Sequence, residues 1–146
     1  MRGIEIGYME ITVLTLVVDN VGETKQKTLK IDYEITSGSL NGMTSDVNST
    51  SLTLNITANE SGKLHMTIPR IIIDSKSTWD GNIDDIFYMV IDGEEVDYTE
   101  TVTEDHRTLE IPYMEGSEVI EIIGTTVIDD LYTIGDNLAV ATMIGM

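Results

Sequence analysis

The chain has 146 residues, 41% of them hydrophobic, which suits one domain that closes its own core. Twenty-six Asp and Glu against eight Lys and Arg leave a net charge of −18, which weighs against nucleic acid and anionic membranes as partners and favours cations, basic partners or a saline exterior. Cysteine is absent, so disulfides, thiol catalysis and thiolate metal sites are excluded.

Residues 1–20 contain "MEITVLTLVV", apolar and nearly alternating, which predicts a strand. No apolar run is long enough to span a bilayer, and the basic start and small-residue cleavage site of a signal peptide are missing. An exported chain is therefore expected to be a mature or trimmed form. Either this strand completes its own sheet, or it is donated to a neighbouring copy through Ile11, Val13, Leu14, Leu16 and Val17.

Residues 28–128 carry the most regular period-two pattern. In "TLKIDYEI", Leu29, Ile31, Tyr33 and Ile35 share one face and Lys30, Asp32 and Glu34 the other, as in a half-buried strand. Further strands are predicted over 51–57, 63–68, 86–92, 95–101, 108–113 and 118–127, with turns at "NESGK", "DGEE" and "MEGSE". One short helical turn is expected in "PRIIIDSKSTW".

Three of the seven Asn lie in Asn-x-Ser/Thr triplets, at Asn48, Asn55 and Asn59, where the 28 Ser and Thr would place about one by chance. N-linked glycans are expected there if the chain is exported. Leu52, Leu54 and Ile56 alternate with Thr53, Asn55 and Thr57, so Asn55 is predicted to face outward.

The densest acidic feature is "DGNIDD". Asp80, Asn82 and Asp84 at alternate positions, with Asp85 beside them, could wrap a hard cation such as calcium, aided by Asp74, Asp92 or Glu94. The helix-hand motif is excluded, because Asp85 stands where it needs Gly and Ile91 where it needs a bidentate Glu. A solvated acidic turn is the plainer alternative. Trp79, the only Trp, is expected in the core, with a stacking platform for sugar as the alternative. His65 and His106 are expected to face solvent, and no phosphate loop, zinc-protease or serine-hydrolase signature is present, so no enzyme is expected.

Residues 131–146, with "NLAVATMIGM", form a last apolar strand that lacks a polar face. It is the alternative donor, through Leu138, Val140 and Ile144.

The segments "YEITSGSLNGM", "GKLHMTIPR", "VIDGEEVDY", "RTLEIPY" and "SEVIEIIGT" resemble, over about residues 29–127, a module of archaeal cell-surface proteins of the ammonia-oxidiser type that carry PEFG-type sorting tails. The resemblance implies an exported β-sandwich with no catalytic residues. The Pro-Glu-Phe-Gly motif is not found; the final residues are "LYTIGDNLAVATMIGM".

These readings predict a single all-β domain over 1–146, an antiparallel sandwich of immunoglobulin-like or jelly-roll-like kind with about 8–10 strands. The expected function is a structural subunit of an extracellular archaeal filament or surface layer, a homopolymer joined by strand complementation. The alternative is a monomeric, calcium-dependent module that binds surface polysaccharide or another surface protein.

Overall fold

A computed structural model describes residues 3–17, 24–135 and 137–145. The fold is all-β, and no helix occurs among the described residues. The strands are β1 (Ile4–Val17), β2 (Thr24–Thr36), β3 (Gly38–Asp46), β4 (Ser51–Ala58), β5 (Gly62–Pro69), β6 (Ile73–Asp74), β7 (Tyr88–Ile91), β8 (Glu94–Glu95), β9 (Thr99–Val102), β10 (His106–Tyr113), β11 (Val119–Ile123), β12 (Thr126–Val127), β13 (Asp129–Thr133) and β14 (Leu138–Gly145).

Twelve of them form one curled sheet in the order β8-β7-β11-β4-β3-β13-β14-β1-β2-β5-β10-β9, and β12 pairs with β6. The terminal strands β8 and β9 are joined by only residues 96–98. At roughly 3.3 Å per residue this link is short, so the sheet must curl until its two ends meet.

Strand alternation builds the core. In β4 the pattern buries Leu52, Leu54 and Ile56 and exposes Asn55 and Thr57, as predicted. Ile31 and Ile35 of β2, Leu64 and Met66 of β5, Leu109 and Ile111 of β10, and Ile120 and Ile122 of β11 join the same buried cluster. Each such aliphatic chain contributes roughly 1.5–3 kcal/mol by leaving water.

Several expected boundaries move. The 95–101 strand divides into β8 and β9, because the chain crosses there between the sheet's ends. Val96 bonds back to the Met89 carbonyl (2.9 Å), and the Phe87 amide donates to the Tyr98 hydroxyl (2.7 Å). The 118–127 strand breaks at Gly124, where a Cβ would overlap the Asp74 carbonyl, so only glycine lets the chain turn from β11 into β12. In place of a helical turn after β5, a single bond from Ile72 N to Pro69 O (3.0 Å) leads into β6. β3, polar and interrupted by a bulge between Leu40 and Gly42, had no sequence signal. The "DGEE" turn forms as expected, with Asp92 at φ 49° and Gly93 at φ 87°, the primed geometry of a tight hairpin.

The two chain ends meet in the middle of the sheet. β1 lies between β2, antiparallel, and β14, parallel, with Glu10 opposite Leu138 and Val17 opposite Gly145. The other described ladders are antiparallel. β14 folds back on β13 through a turn closed by Ile134 N to Leu138 O (2.9 Å).

Candidate functional site: an anchored acidic loop and the strand edges

Arg107 continues the inward phase of β10, with Leu109, Ile111 and Tyr113, and is 1% exposed. A buried guanidinium needs every donor matched. Nε donates to Asp74 (2.9 Å), Nη2 to the Ser75 carbonyl (2.7 Å), and Nη1 to the Asp85 carbonyl (2.8 Å) and Glu100 (3.3 Å). Its Cζ lies over the Phe87 ring, 4.7 Å from the centroid.

Arg70 extends this network outward. Its Nε donates to the other Asp74 oxygen (3.2 Å), Nη1 to the Thr103 carbonyl (3.0 Å), and both terminal nitrogens reach Asp84. Lys76 adds a contact to Asp84 at 2.7 Å. Hydrogen bonds from Arg70 and then Lys76 hold the Asp84 carboxyl down to about 2, and the bond to Asp84 in turn raises Arg70. Burial, and next to it the charge of Glu100 set against the Phe87 amide, pushes Tyr98 up to about 12.

This network clamps the base of the loop over residues 75–87. Inside the loop, Ser77 N bonds Ile83 O (2.8 Å), Asp80 Oδ1 accepts the Asn82 amide (2.9 Å), and Asp85 Oδ1 accepts the Ile86 amide (2.8 Å). Asp80 and Asp85 thus each give one oxygen to a turn amide, Asn82 enters through its backbone amide, and Asp84 is taken by Arg70 and Lys76. Among the described residues no three His, Asp or Glu side chains are grouped to hold a metal ion. Asp74 is taken by the two arginines, and Asp92 accepts the Val119 amide (2.9 Å). Trp79 is not in the core. It stands 97% exposed near the loop tip, with Ile83 and Ile86 also exposed.

Asn48, Asn55 and Asn59 are all exposed. Asn48 lies in the β3–β4 turn, with its amide on Asp46 (2.9 Å); Asn59 follows β4, with its amide on the Ser37 carbonyl (2.8 Å). Asn55 sits mid-strand, between Gly42 and Val119 on the neighbouring strands. His65 and His106 face outward, as expected.

Of the strand-donor candidates, Ile11 (0%) and Val13 (1%) are buried in their own core and Leu14 is half-buried; the side chains of Leu16, Val17 and Ile144 lie outside the described set. In β14 the inward positions are Ala139 and Ala141, while Leu138 is 51% exposed and Val140 half-buried. The parallel register decides this phase, because it sets the two alanines beside the bulky Ile11 and Val13.

Arg107 drew no attention in the sequence, and Asp74 was read as an aid to a cation site and not as a partner of arginine. The signal for Arg107 was present, since a charged residue stood in phase with three apolar ones, but its partners Asp74 and Ser75 lie more than thirty positions away. No known protein family, curated protein or solved structure matches the chain. The likeness to archaeal surface modules therefore rests on the quoted segments alone.

Proposed function

We propose that this chain is a structural subunit of an archaeal extracellular filament or surface layer, a single β-sandwich of immunoglobulin-like or jelly-roll-like kind joined to its neighbours by an exchanged terminal strand. The observation that carries the reading is the attachment of the C-terminal hairpin. On the β3 side, β13 holds by one register pair, Tyr132 with Thr44, and by the Leu131 amide on Ser45 Oγ (2.8 Å). On the other side, β14 holds by its parallel ladder to β1. Withdrawing β1 would break its long ladder to β2 as well as that to β14 and uncover Ile11 and Val13, whereas withdrawing the hairpin breaks the β14–β1 ladder and the short β13–β3 pairing and leaves one gap, between β3 and β1, that an identical hairpin from a neighbour refills. This favours the C-terminal donor over the N-terminal one. Main-chain hydrogen bonds supply affinity in such a contact, and Ala139 and Ala141 supply the fit.

The exposure of Asn48, Asn55 and Asn59, the acidic composition and the resemblance to surface modules support an exported, N-glycosylated protein. Glycans there would shield the outer face of β4 and its flanking turns.

The test uses the facing pair Val13 and Ala141 in a chain that has no other cysteine. Val13→Cys and Ala141→Cys variants, mixed under assembly conditions and oxidised, are expected to give cross-linked pairs of unlike chains. Polymers that form with no such cross-link would exclude exchange of β14.

One observation favours a second reading, a monomeric binding module: Trp79 is presented to solvent on a clamped loop. That reading predicts saturable polysaccharide or protein binding lost in Trp79→Ala. Its calcium form, through Asp80, Asn82, Asp84 and Asp85, requires an ion to displace Arg70 and Lys76 from Asp84, and predicts loss of binding in chelator.

A further inference from the structure

Of the eight basic residues, Arg70, Lys76 and Arg107 are spent in the network and Lys63 faces Glu110 (3.6 Å). Lys25, Lys27 and Lys30 all lie on the first half of β2, exposed, with no acid between residues 24 and 31. Lys30 contacts Asp32 (3.7 Å) and the Tyr8 ring, but Lys25 and Lys27 make no ion pair with any described residue.

The same stretch is an open edge. The ladder from β2 to β5 covers only Asp32 to Ile35, and after Thr67 the next β5 residue whose backbone faces β2 is Pro69, which has no N–H to offer Lys30. The Glu10 amide points to the β14 side, so odd residues of β1 bond to β2 and the even residues of β2 direct their backbone groups outward. Gln26 and Thr28 thus present amides and carbonyls that no described strand pairs. Lysines on an open edge repel like strands and neutral ones gain nothing from them, but an acidic strand is attracted.

This chain contains a strand set among acids, although the one acid within it, Glu100, is spent on Arg107. From Asp92 to Asp105 there are seven acids and no Lys or Arg. This segment holds β8 and β9, the two ends of the curled sheet, and the outer edge of β9 has no described partner. Asp97 and Glu104, both exposed, flank β9.

We propose that the lysine edge of β2 in one copy binds the acidic β9 edge of a second copy, as a salt-sensitive, sheet-extending contact. This rests on the reading of the chain as a self-assembling subunit, and it adds a second contact to the strand exchange. Beside the open edge runs a groove of about 670 Å³ whose far wall includes the copy's own Glu104 and Asp105. Those acids repel an acidic strand from the inner end, so it seats at the outer end, against Lys25 and Lys27. The lysine edge belongs to β2 and the acidic edge to β9, and although Glu104 borders the lysine groove the two edges are different surfaces, so the contact is heterologous, of the kind that builds rings or open filaments.

The experiment follows self-association of the full chain by light scattering and sedimentation at about 0.02 M and about 0.5 M sodium chloride, between which the Debye length falls from about 20 Å to about 4 Å. The apparent association constant is expected to drop at least about tenfold. Lys25→Glu with Lys27→Glu in one variant, and Asp97→Lys with Glu104→Lys in another, are each expected to lose low-salt association while keeping the parent's melting curve. Mixed together they should regain it, because each edge again meets its opposite charge. Association unaltered by salt and by both variants would overturn this contact and leave strand exchange standing. A parent that stays monomeric in both salts would overturn both, and salt-sensitive oligomers without Val13–Ala141 cross-links would keep this contact and remove the exchange.

Discussion

The loop over 75–87 and the hairpin β13–β14 are attached to the same sheet by opposite means. The loop buries little apolar surface beyond Phe87 and shows Trp79, Ile83 and Ile86 to water, yet three cations and three carboxylates tie its base to β10 and β9. The hairpin is attached through main-chain ladders, the buried Leu131 and the bond from the Leu131 amide to Ser45 Oγ. Side-chain ion pairs clamp a loop in one geometry, since a guanidinium must meet its acceptors in a particular fork. Backbone ladders can be re-formed with any identical strand, which is what an exchangeable element requires.

The sharpest way to break this contrast is to remove the clamp. Arg107→Ala takes the cation from Glu100 and leaves Asp74 with Arg70 alone in a largely buried site, and is expected to cost about 3–5 kcal/mol, read by urea unfolding. Leu131→Ala tests the hairpin instead. It is expected to cost about 2–4 kcal/mol and to speed amide exchange in β14 before that in β7 or β11. Equal acceleration in all three strands would mean that the hairpin opens only with the whole sheet.

Gly124→Val sets a branched side chain against the Asp74 carbonyl, where the loop base and the β11–β12 bend meet. A loss of about 1–3 kcal/mol is expected, and the change should disturb Trp79 emission more than exchange in β14.

Acid separates the regions more gently. The folded carboxyl of Asp84 lies near 2, below its ordinary 3.8, so its contribution is present above about pH 4 and is lost as pH falls through about 2. Trp79 emission should therefore change within that window ahead of global unfolding. At the alkaline end the folded Tyr98 value, near 12, lies above its ordinary 10.0, so its contribution is full below pH 10 and is lost as pH rises through about 12. Smallest of all, Trp79→Ala is expected to change stability by no more than about 0.5 kcal/mol, because the ring is exposed.

Much of this chain was readable locally. Alternation in 29–35, 51–57, 63–68 and 108–113 assigned strands and their inner faces, because a side-chain period of two needs no knowledge of the neighbour. The Asp92-Gly93 turn was equally plain. β3 escaped because its bulge interrupts the alternation and its face is rich in Gly, Asn and Ser. Trp79 was misjudged because its apolar size argues for burial, while its segment sits on a loop held by charges. The acidic run 80–85 looked like a ligand set because sequence shows which oxygens are close along the chain, but not that Arg70 and Lys76 meet Asp84 first.

By itself the sequence determined an all-β chain, the inner faces of its regular strands, its tight turns and a strongly acidic surface, all properties that short-range periodicity and composition encode. Only the tertiary structure decided that the two chain ends pair in parallel at the middle of one curled sheet, that Arg107 and Asp74 lock the loop, and that β2 keeps an open basic edge. Those outcomes depend on which distant strands share backbone hydrogen bonds and on where Pro69 ends a ladder, and a pattern that repeats every two residues specifies a strand's face but not its partner.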